Sequence, residues 1–87
     1  MWYVYLIGSK STNKRYVGST NDLMHRLKEH NSGKSKYTSI ASDWECVFFD
    51  SYKDETQARK AEQLIKKNRK YREEFYNKAA AGLSSWR

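Results

Sequence analysis

The sequence predicts a small α/β domain in which a three-stranded, mostly antiparallel sheet is flanked by helices, in the order ββαβαα. Two runs of aromatic and β-branched residues lie at hairpin distance near the N-terminus, and a third such run lies mid-chain. The intervening and C-terminal stretches show apolar residues at helical spacing. With 87 residues the chain is expected to form a single domain over 1–87.

The first two strands are predicted to form a β-hairpin. Residues 2–9 are apolar on both faces, which is typical of a strand covered on both sides. The Ser, Thr, Asn and Lys residues of 10–14 predict a turn, and 15–18 a second short strand. The third strand is predicted at 44–52, where apolar residues again crowd the centre.

The first helix is expected to be capped by Thr20 or Asn21, with Asp22 in its first turn, and to end near residues 31–33. Its apolar stripe is predicted to contain Leu23, Met24 and Leu27. Beyond it, 33–43 loses helical spacing and is rich in small polar residues, so a loop is predicted there.

A second helix should open at Asp54, which with Gln57 resembles a capping box. Its core line would contain Ala58, Ala61 and Ile65. A break is expected at 68–70, followed by a last helix over 71–81 that closes at Gly82. Residues 83–87 are expected to be a docked or frayed end.

The charge balance favours a polyanionic partner. Lys and Arg number 17 against 10 Asp and Glu, which gives +7 and a pI near 9.6. Cys46 is the sole cysteine, so internal disulfides and cysteine-rich zinc sites are excluded. The apolar run 2–7 is far shorter than the about 20 residues that span a bilayer. We therefore expect an intracellular, cytoplasmic protein that binds nucleic acid and no membrane.

Paired short motifs on the hairpin suggest a specific chemistry. Tyr3-Val4-Tyr5 and Tyr16-Val17-Gly18 resemble the motifs of the GIY-YIG nuclease family, with Val in place of Ile and Tyr3 in place of the first Gly. The positions that follow in the family's order are Arg26, His30 and Glu62, and Asn77 matches its downstream asparagine.

The resemblance implies a metal-dependent endonuclease that hydrolyses phosphodiester bonds of duplex or branched DNA. Glu62 would hold one divalent ion, Mg²⁺ or Mn²⁺. Arg26 would bind the scissile phosphate, and Tyr16 would accept a proton from the attacking water. Tyr5 and His30 would position the water or phosphate or share the proton transfer. Which of Tyr16, Tyr5 and His30 is the general base stays open.

The residues alone leave alternatives open. Arg26 and His30 are four apart, so they lie on one helical face and favour an anion beside them, unless they are simply a solvated surface. Glu62 lies at the margin of the apolar stripe of the second helix, where a metal ion, a salt bridge or simple exposure would each satisfy its charge. His25 is expected to be a surface residue.

Further contacts to DNA are expected from residues that reach phosphates without reading bases. These candidates are Lys34, Lys36 and Tyr37 in the loop, Lys66 and Lys67 on the second helix, and Asn77 on the last. Specificity would then come from DNA shape, a homo-oligomer or a protein partner. The alternative function is a noncatalytic nucleic-acid binding module of the same fold.

Overall fold

The computed structural model describes residues 1–34 and 36–86, those from 81 onward by their backbone alone. It confirms the predicted α/β architecture and its ββαβαα order. The elements are β1 (Trp2–Ser9), β2 (Lys14–Thr20), α1 (Leu23–Asn31), β3 (Trp44–Tyr52), α2 (Glu55–Lys67) and α3 (Arg69–Trp86).

The sheet has the strand order β2-β1-β3, and both pairings are antiparallel. The central strand β1 is therefore hydrogen-bonded along both edges, and its residues Val4 to Ile7 are buried. This confirms the prediction that 2–9 is covered on both faces. Strand β2 is longer than the predicted 15–18, because its pairing with β1 continues to Thr20 opposite Tyr3.

The helices cover opposite faces of the sheet. On one face α2 and α3 pack over a core of Val4, Leu6, Val17, Ala58, Ile65, Phe75 and Ala79. On the other face α1 and the loop before β3 cover a second cluster that contains Tyr5, Ile7 and Trp44, with Leu23, Leu27 and Cys46 at its margin. Side chains alternate along β1, so its odd-numbered residues face α1.

Two side chains fix the loop between α1 and β3. The Asn31 side chain donates to the carbonyl of Trp44 at 3.0 Å and accepts from its backbone N–H at 2.6 Å. Asp43 accepts hydrogen bonds from Ser9 Oγ at 2.6 Å and from the backbone N–H of Ser11 at 2.9 Å. The Ser9 bond is the main reason that the pKa of Asp43 falls to about 2. The end of α1 and the hairpin turn are thus both held at the start of β3.

The start of α1 differs in detail from the prediction. Asp22, rather than Thr20 or Asn21, is the N-cap, and its carboxylate accepts from the backbone N–H of His25. Thr20 instead belongs to β2. Met24 is 71% exposed, so the apolar stripe consists of Leu23 and Leu27 without it. Leu23 and Leu27 are four residues apart and therefore lie on the same face of the helix. Met24 is only one residue after Leu23, so it points to a different side.

The junction of the last two helices is shorter than predicted. Asn68 ends α2, and its side chain accepts from the backbone N–H of Lys70 as α3 begins at Arg69. The prediction that Gly82 ends α3 is wrong, because the helix continues to Trp86. A single glycine costs a helix only about 1 kcal/mol relative to alanine, and no proline follows here to force an end. The side chains of residues 83–87 lie outside the described part.

Among the described residues, no helix combines the length and the apolar character that crossing a membrane requires.

The cap of α2 provides a test of how the helix that carries Glu62 is held. The Asp54 carboxylate accepts from the backbone N–H of Gln57 at 2.9 Å, as the capping-box pattern predicts. We expect Asp54→Ala to lower the free energy of unfolding by about 1 kcal/mol, because the N–H loses its partner. Urea denaturation would measure this, with Lys53→Ala, an exposed neighbour outside the helix, as the control. Equal midpoints for the two variants would contradict the capping role.

Candidate active site

The register of the hairpin brings two tyrosines onto the sheet face that α1 covers. Tyr16 pairs with Ile7 and Gly18 pairs with Tyr5, so the two tyrosines are diagonal neighbours on that face. Their ring centroids are 6.5 Å apart, at an angle of 46° between the rings. The two phenol rings therefore lie on the same side of the sheet.

Gly18 is needed because the Tyr5 ring crosses directly over it. A Cβ atom at position 18 would lie 2.7 Å from Tyr5 Cζ and 3.1 Å from Tyr16 Cε2. Real Cβ atoms do not approach a ring carbon so closely, so any larger residue would move the Tyr5 phenol. The last glycine of the Tyr16-Val17-Gly18 motif therefore positions the tyrosine of the neighbouring strand.

His30 lies fully buried beneath the two tyrosines. Its Nε2 shares a 2.8 Å hydrogen bond with the Tyr5 hydroxyl, and its Nδ1 shares a 2.6 Å hydrogen bond with Thr38 Oγ1. The ring centroid of Tyr16 is 5.2 Å from that of His30. Burial, assisted by nearby Arg26, lowers the pKa of His30 from 6.5 to about 4. The imidazole is therefore neutral at pH 7, with one nitrogen donating and the other accepting.

The Tyr5 phenol is equally enclosed and holds its proton. Its side chain is only 2% exposed, and burial raises its pKa from 10.0 to about 12, although the Arg26 guanidinium opposes this rise. Tyr5, His30 and Thr38 thus form a chain of neutral hydrogen-bonding groups. None of the three offers much surface to solvent, and their hydrogen bonds tie β1, α1 and the following loop together.

Arg26 brings a positive charge to this face from α1. It lies one helical turn before His30, and its side chain remains 34% exposed. The anion beside it is Glu29, whose Oε1 is 3.4 Å from Arg26 Nη1. The same carboxylate lies 3.7 Å from His25, which is a surface residue as predicted. Arg26 is therefore held in place while part of its guanidinium stays available to an external phosphate.

Glu62 reaches the site from α2. Ser19 Oγ donates to Glu62 Oε1 at 2.5 Å, and Lys66 Nζ donates to Oε2 at 2.7 Å. The side chain is only 15% exposed, which agrees with its predicted place at the margin of the apolar stripe. Of the alternatives left open by the sequence, the salt bridge is present, and its partner is Lys66.

The site is assembled around the outer edge of β2. Arg26 and His30 come from α1 on one face of the sheet, whereas Glu62 comes from α2 on the other face. Tyr16 lies between them on the edge strand, and Lys66 Nζ is 5.1 Å from the centroid of its ring. At this edge Tyr16 meets the ion pair of Glu62 and Lys66.

The residues present fit a Mg²⁺-like ion better than a zinc ion. Among the described residues no three His, Cys, Asp or Glu side chains gather as a ligand set, as a structural zinc site would require. Mg²⁺ is commonly bound by a single carboxylate together with waters and substrate phosphates. Glu62 would supply such a carboxylate from α2, next to the edge strand β2.

The remaining predicted contacts lie outside this cluster. Lys34, Lys36 and Tyr37 belong to the loop after α1, where Tyr37 is 78% exposed. Lys67 is exposed on α2, and Asn77 is exposed on α3. None of the contacts found for the described site residues involves Asn77. The loop is nevertheless tied to the site, since Thr38 follows Tyr37 directly and bonds to His30.

Three residues that contact the site residues were not predicted from the sequence: Ser19, Glu29 and Thr38. Glu29 had a readable signal, because it lies three residues after Arg26 on the same helix. Ser19 and Thr38 are ordinary small polar residues in sequence, and only the tertiary fold places them against Glu62 and His30.

Comparison with known proteins finds a family and several relatives that match most of this chain. A family model described as the GIY-YIG catalytic domain matches residues 1–77. The UPF0213 protein YazA of Bacillus subtilis is 37% identical over 75 residues, which cover 85% of this chain and 75% of that protein. A UPF0213 protein of Clostridium perfringens is 37% identical over 68 residues, which cover 77% and 72%. One of Vibrio campbellii is 34% identical over 79 residues, which cover 85% and 71%. No solved structure matches the chain.

The close approach at Gly18 predicts a position-specific cost. We expect Gly18→Ala to lower the free energy of unfolding by about 1–3 kcal/mol, since the new methyl must displace the Tyr5 ring. Gly8→Ala is the matched control on the neighbouring strand, where the added Cβ would lie 3.4 Å from Val47 Cγ2 and 4.0 Å from the carbonyl oxygen of Lys14, both ordinary van der Waals contacts. Urea denaturation of both variants measures the difference. A Gly18→Ala variant as stable as Gly8→Ala would show that the ring does not need this space.

Burial of His30 predicts a pH dependence of stability. Unfolded chains protonate this histidine near pH 6.5, whereas the folded protein does so only near pH 4, so the unfolded state binds more protons between these values. The free energy of unfolding should have its full value above pH 6.5. As the pH is lowered from 6 to 5, it should fall by up to about 1.4 kcal/mol per pH unit.

Urea denaturation between pH 7 and 5 would measure this slope, and His30→Gln should remove most of it. That range lies above the ordinary pKa of Asp and Glu side chains, so the histidine contribution dominates. A direct NMR titration of the His30 ring in the unmodified protein gives an independent value. If the His30 ring titrated near pH 6.5, the imidazole would not be buried as the structure shows.

Proposed function

The chain belongs to the GIY-YIG family, and on that premise we propose that it is a divalent-metal-dependent endonuclease that hydrolyses phosphodiester bonds of DNA. One observation carries the proposal. Besides burial, which raises the pKa of Tyr5, the charges or phenol of Arg26, Tyr16 and Glu62 all act on this one phenol, and each of the three residues keeps some exposure to solvent. In-line hydrolysis of a phosphodiester requires such preorganised groups around the phosphate.

Arg26 and the divalent ion held by Glu62 would have different roles. Arg26 would bind the scissile phosphate and stabilise the negative charge that grows on its nonbridging oxygens, since a guanidinium matches phosphate geometry. Its contact with Glu29 fixes the side chain before substrate arrives. Glu62 would hold the Mg²⁺ or Mn²⁺ ion, and such an ion supplies charge stabilisation at the leaving oxygen. Ser19 orients the carboxylate by its hydrogen bond to Oε1.

The geometry favours Tyr16 among the candidates for the general base. Tyr5 is enclosed, and its raised pKa of about 12 disfavours the phenolate. His30 has no exposed surface, so an attacking water cannot reach its nitrogens. Tyr16 is less buried than either and lies at the sheet edge beside Glu62's helix. On this assignment Tyr5 and His30 position Tyr16 and Arg26 instead of taking the proton.

The charge of the chain supports a DNA substrate. With a net charge of +7, phosphate contacts would supply most of the affinity, and binding should weaken steeply as salt rises. The exposed Lys34, Lys36 and Tyr37 of the loop after α1 and Lys67 of α2 are proposed to contact the flanking backbone. Such contacts discriminate little between sequences, so DNA shape, self-association or a partner protein would supply specificity.

The metal ligand is tested by nicking of supercoiled plasmid and of branched duplexes in low salt with Mg²⁺ or Mn²⁺. We expect Glu62→Gln to lower the nicking rate at least about a hundredfold, because the carboxylate that holds the ion is lost. Glu55→Gln removes a charge from the same helix at an exposed ion pair and should leave the rate unchanged. Equal rates for the two variants would contradict the assignment of Glu62.

The general base is tested by Tyr16→Phe, which removes only the hydroxyl. We expect a loss of about 10² to 10⁴ in the nicking rate with DNA affinity retained, as is typical for removal of a general base. Tyr71→Phe, on the exposed part of α3, is the matched control and should retain full activity. If the Tyr16→Phe variant cuts DNA as fast as wild type, Tyr16 is not the general base.

One combined outcome would favour the alternative function. If the wild-type protein binds DNA in a salt-dependent manner but never cuts it, with either ion and on any of these substrates, the chain would be a noncatalytic binding module of the same fold. In that case Glu62→Gln and Tyr16→Phe would leave its DNA binding intact.

A further inference from the structure

Lys66 lies at the position that a cation bound to Glu62 would occupy, and we infer that its ammonium competes with the divalent ion for this carboxylate. The inference rests on the proposed function, because it takes Glu62 as the metal ligand. It assigns Lys66 a positioning role that differs from the general phosphate contact expected from the sequence.

The contacts of the ammonium support this role. Lys66 Nζ is 2.7 Å from Glu62 Oε2 and 5.1 Å from the centroid of the Tyr16 ring. Ser19 Oγ occupies the other carboxylate oxygen. Both oxygens of Glu62 therefore have partners, and the ammonium bonded to Oε2 lies between this carboxylate and the Tyr16 ring. A metal ion placed between Glu62 and Tyr16 would fall where the ammonium now lies.

This ion pair differs from the other pairs of the same spacing on these helices. The carboxylates of Glu55 and Glu73, which pair with Arg59 and Arg69, are 47% and 61% exposed, whereas that of Glu62 is 15% exposed. Exposed pairs exchange readily with water and are weak. The Glu62 carboxylate is more enclosed, so a cation beside it is screened less. Its lysine also lies over an aromatic ring, which adds a cation–π attraction.

A divalent ion and an ammonium repel each other strongly when both are within a few ångström of one carboxylate. Metal binding therefore requires Lys66 to leave Oε2, and its flexible stem and 38% exposure permit this movement. The anion that a DNA substrate brings to this edge is a phosphate, to which the freed ammonium can move. Substrate binding should then raise the affinity for the ion, and the ion should raise the affinity for substrate by the same factor.

The test is direct binding of Mn²⁺ to the metal-free protein, measured as the loss of the free-ion EPR signal at low salt without DNA. We expect Lys66→Met to bind Mn²⁺ about five- to tenfold more tightly than wild type, because the competing charge is gone while methionine keeps an unbranched apolar side chain at this position. Lys67→Met removes the same charge one residue away and should change the affinity less than twofold. Lys66→Arg keeps the charge and should bind like wild type.

Thermal melts check that every variant is folded, and Glu62→Gln defines the background of nonspecific Mn²⁺ binding. If Lys66→Met and Lys67→Met change the affinity for Mn²⁺ equally, the effect comes from net charge alone. The inference that Lys66 competes with the ion for Glu62 is then overturned. If wild type binds Mn²⁺ through Glu62 but Lys66→Met does not differ from it, this inference fails while the proposed metal ligand stands. If neither wild type nor Lys66→Met exceeds Glu62→Gln, the metal site itself fails and so does the inference.

Discussion

The structure depends on one constraint, which is that a phenol buried under a helix must find a hydrogen-bond partner inside the protein. The Tyr5 hydroxyl finds it in His30, and His30 in turn finds Thr38. These bonds join β1, α1 and the following loop, so each depends on the others for a satisfied interior. Leaving any of these groups unpaired would cost about 1–3 kcal/mol. The arrangement of polar groups thus specifies where α1 lies on the sheet.

The same constraint separates the buried neutral groups of the site from its charged groups. The groups beneath α1 are neutral and enclosed, whereas the charged Arg26 and Glu62 are more exposed and come from helices on opposite faces of the sheet. An edge strand leaves room for a large substrate that a covered strand would exclude. Charged groups at such an edge also discourage pairing with the strand of another protein.

The sequence predicted the elements and the set of candidate residues, because strand composition, capping residues and motif order are local signals. It did not predict Ser19 and Thr38, whose roles depend on contacts between residues far apart in the chain. Local reasoning also failed at Met24, whose hydrophobicity did not imply burial, and at Gly82, whose helix-breaking tendency was outweighed by its helical neighbours. The contact of Lys66 with the site required the path of α2 past β2, which no local pattern encodes.

The separation of the site across the two faces of the sheet has a consequence for biosynthesis. A ribosome delivers Tyr5, Tyr16, Arg26 and His30 well before Glu62, which arrives with α2. A nascent chain that has only the hairpin and α1 would therefore possess phosphate-binding groups but no carboxylate for the ion. On the proposed function, the chain cannot hold the divalent ion until α2 has been synthesised and has docked on the sheet.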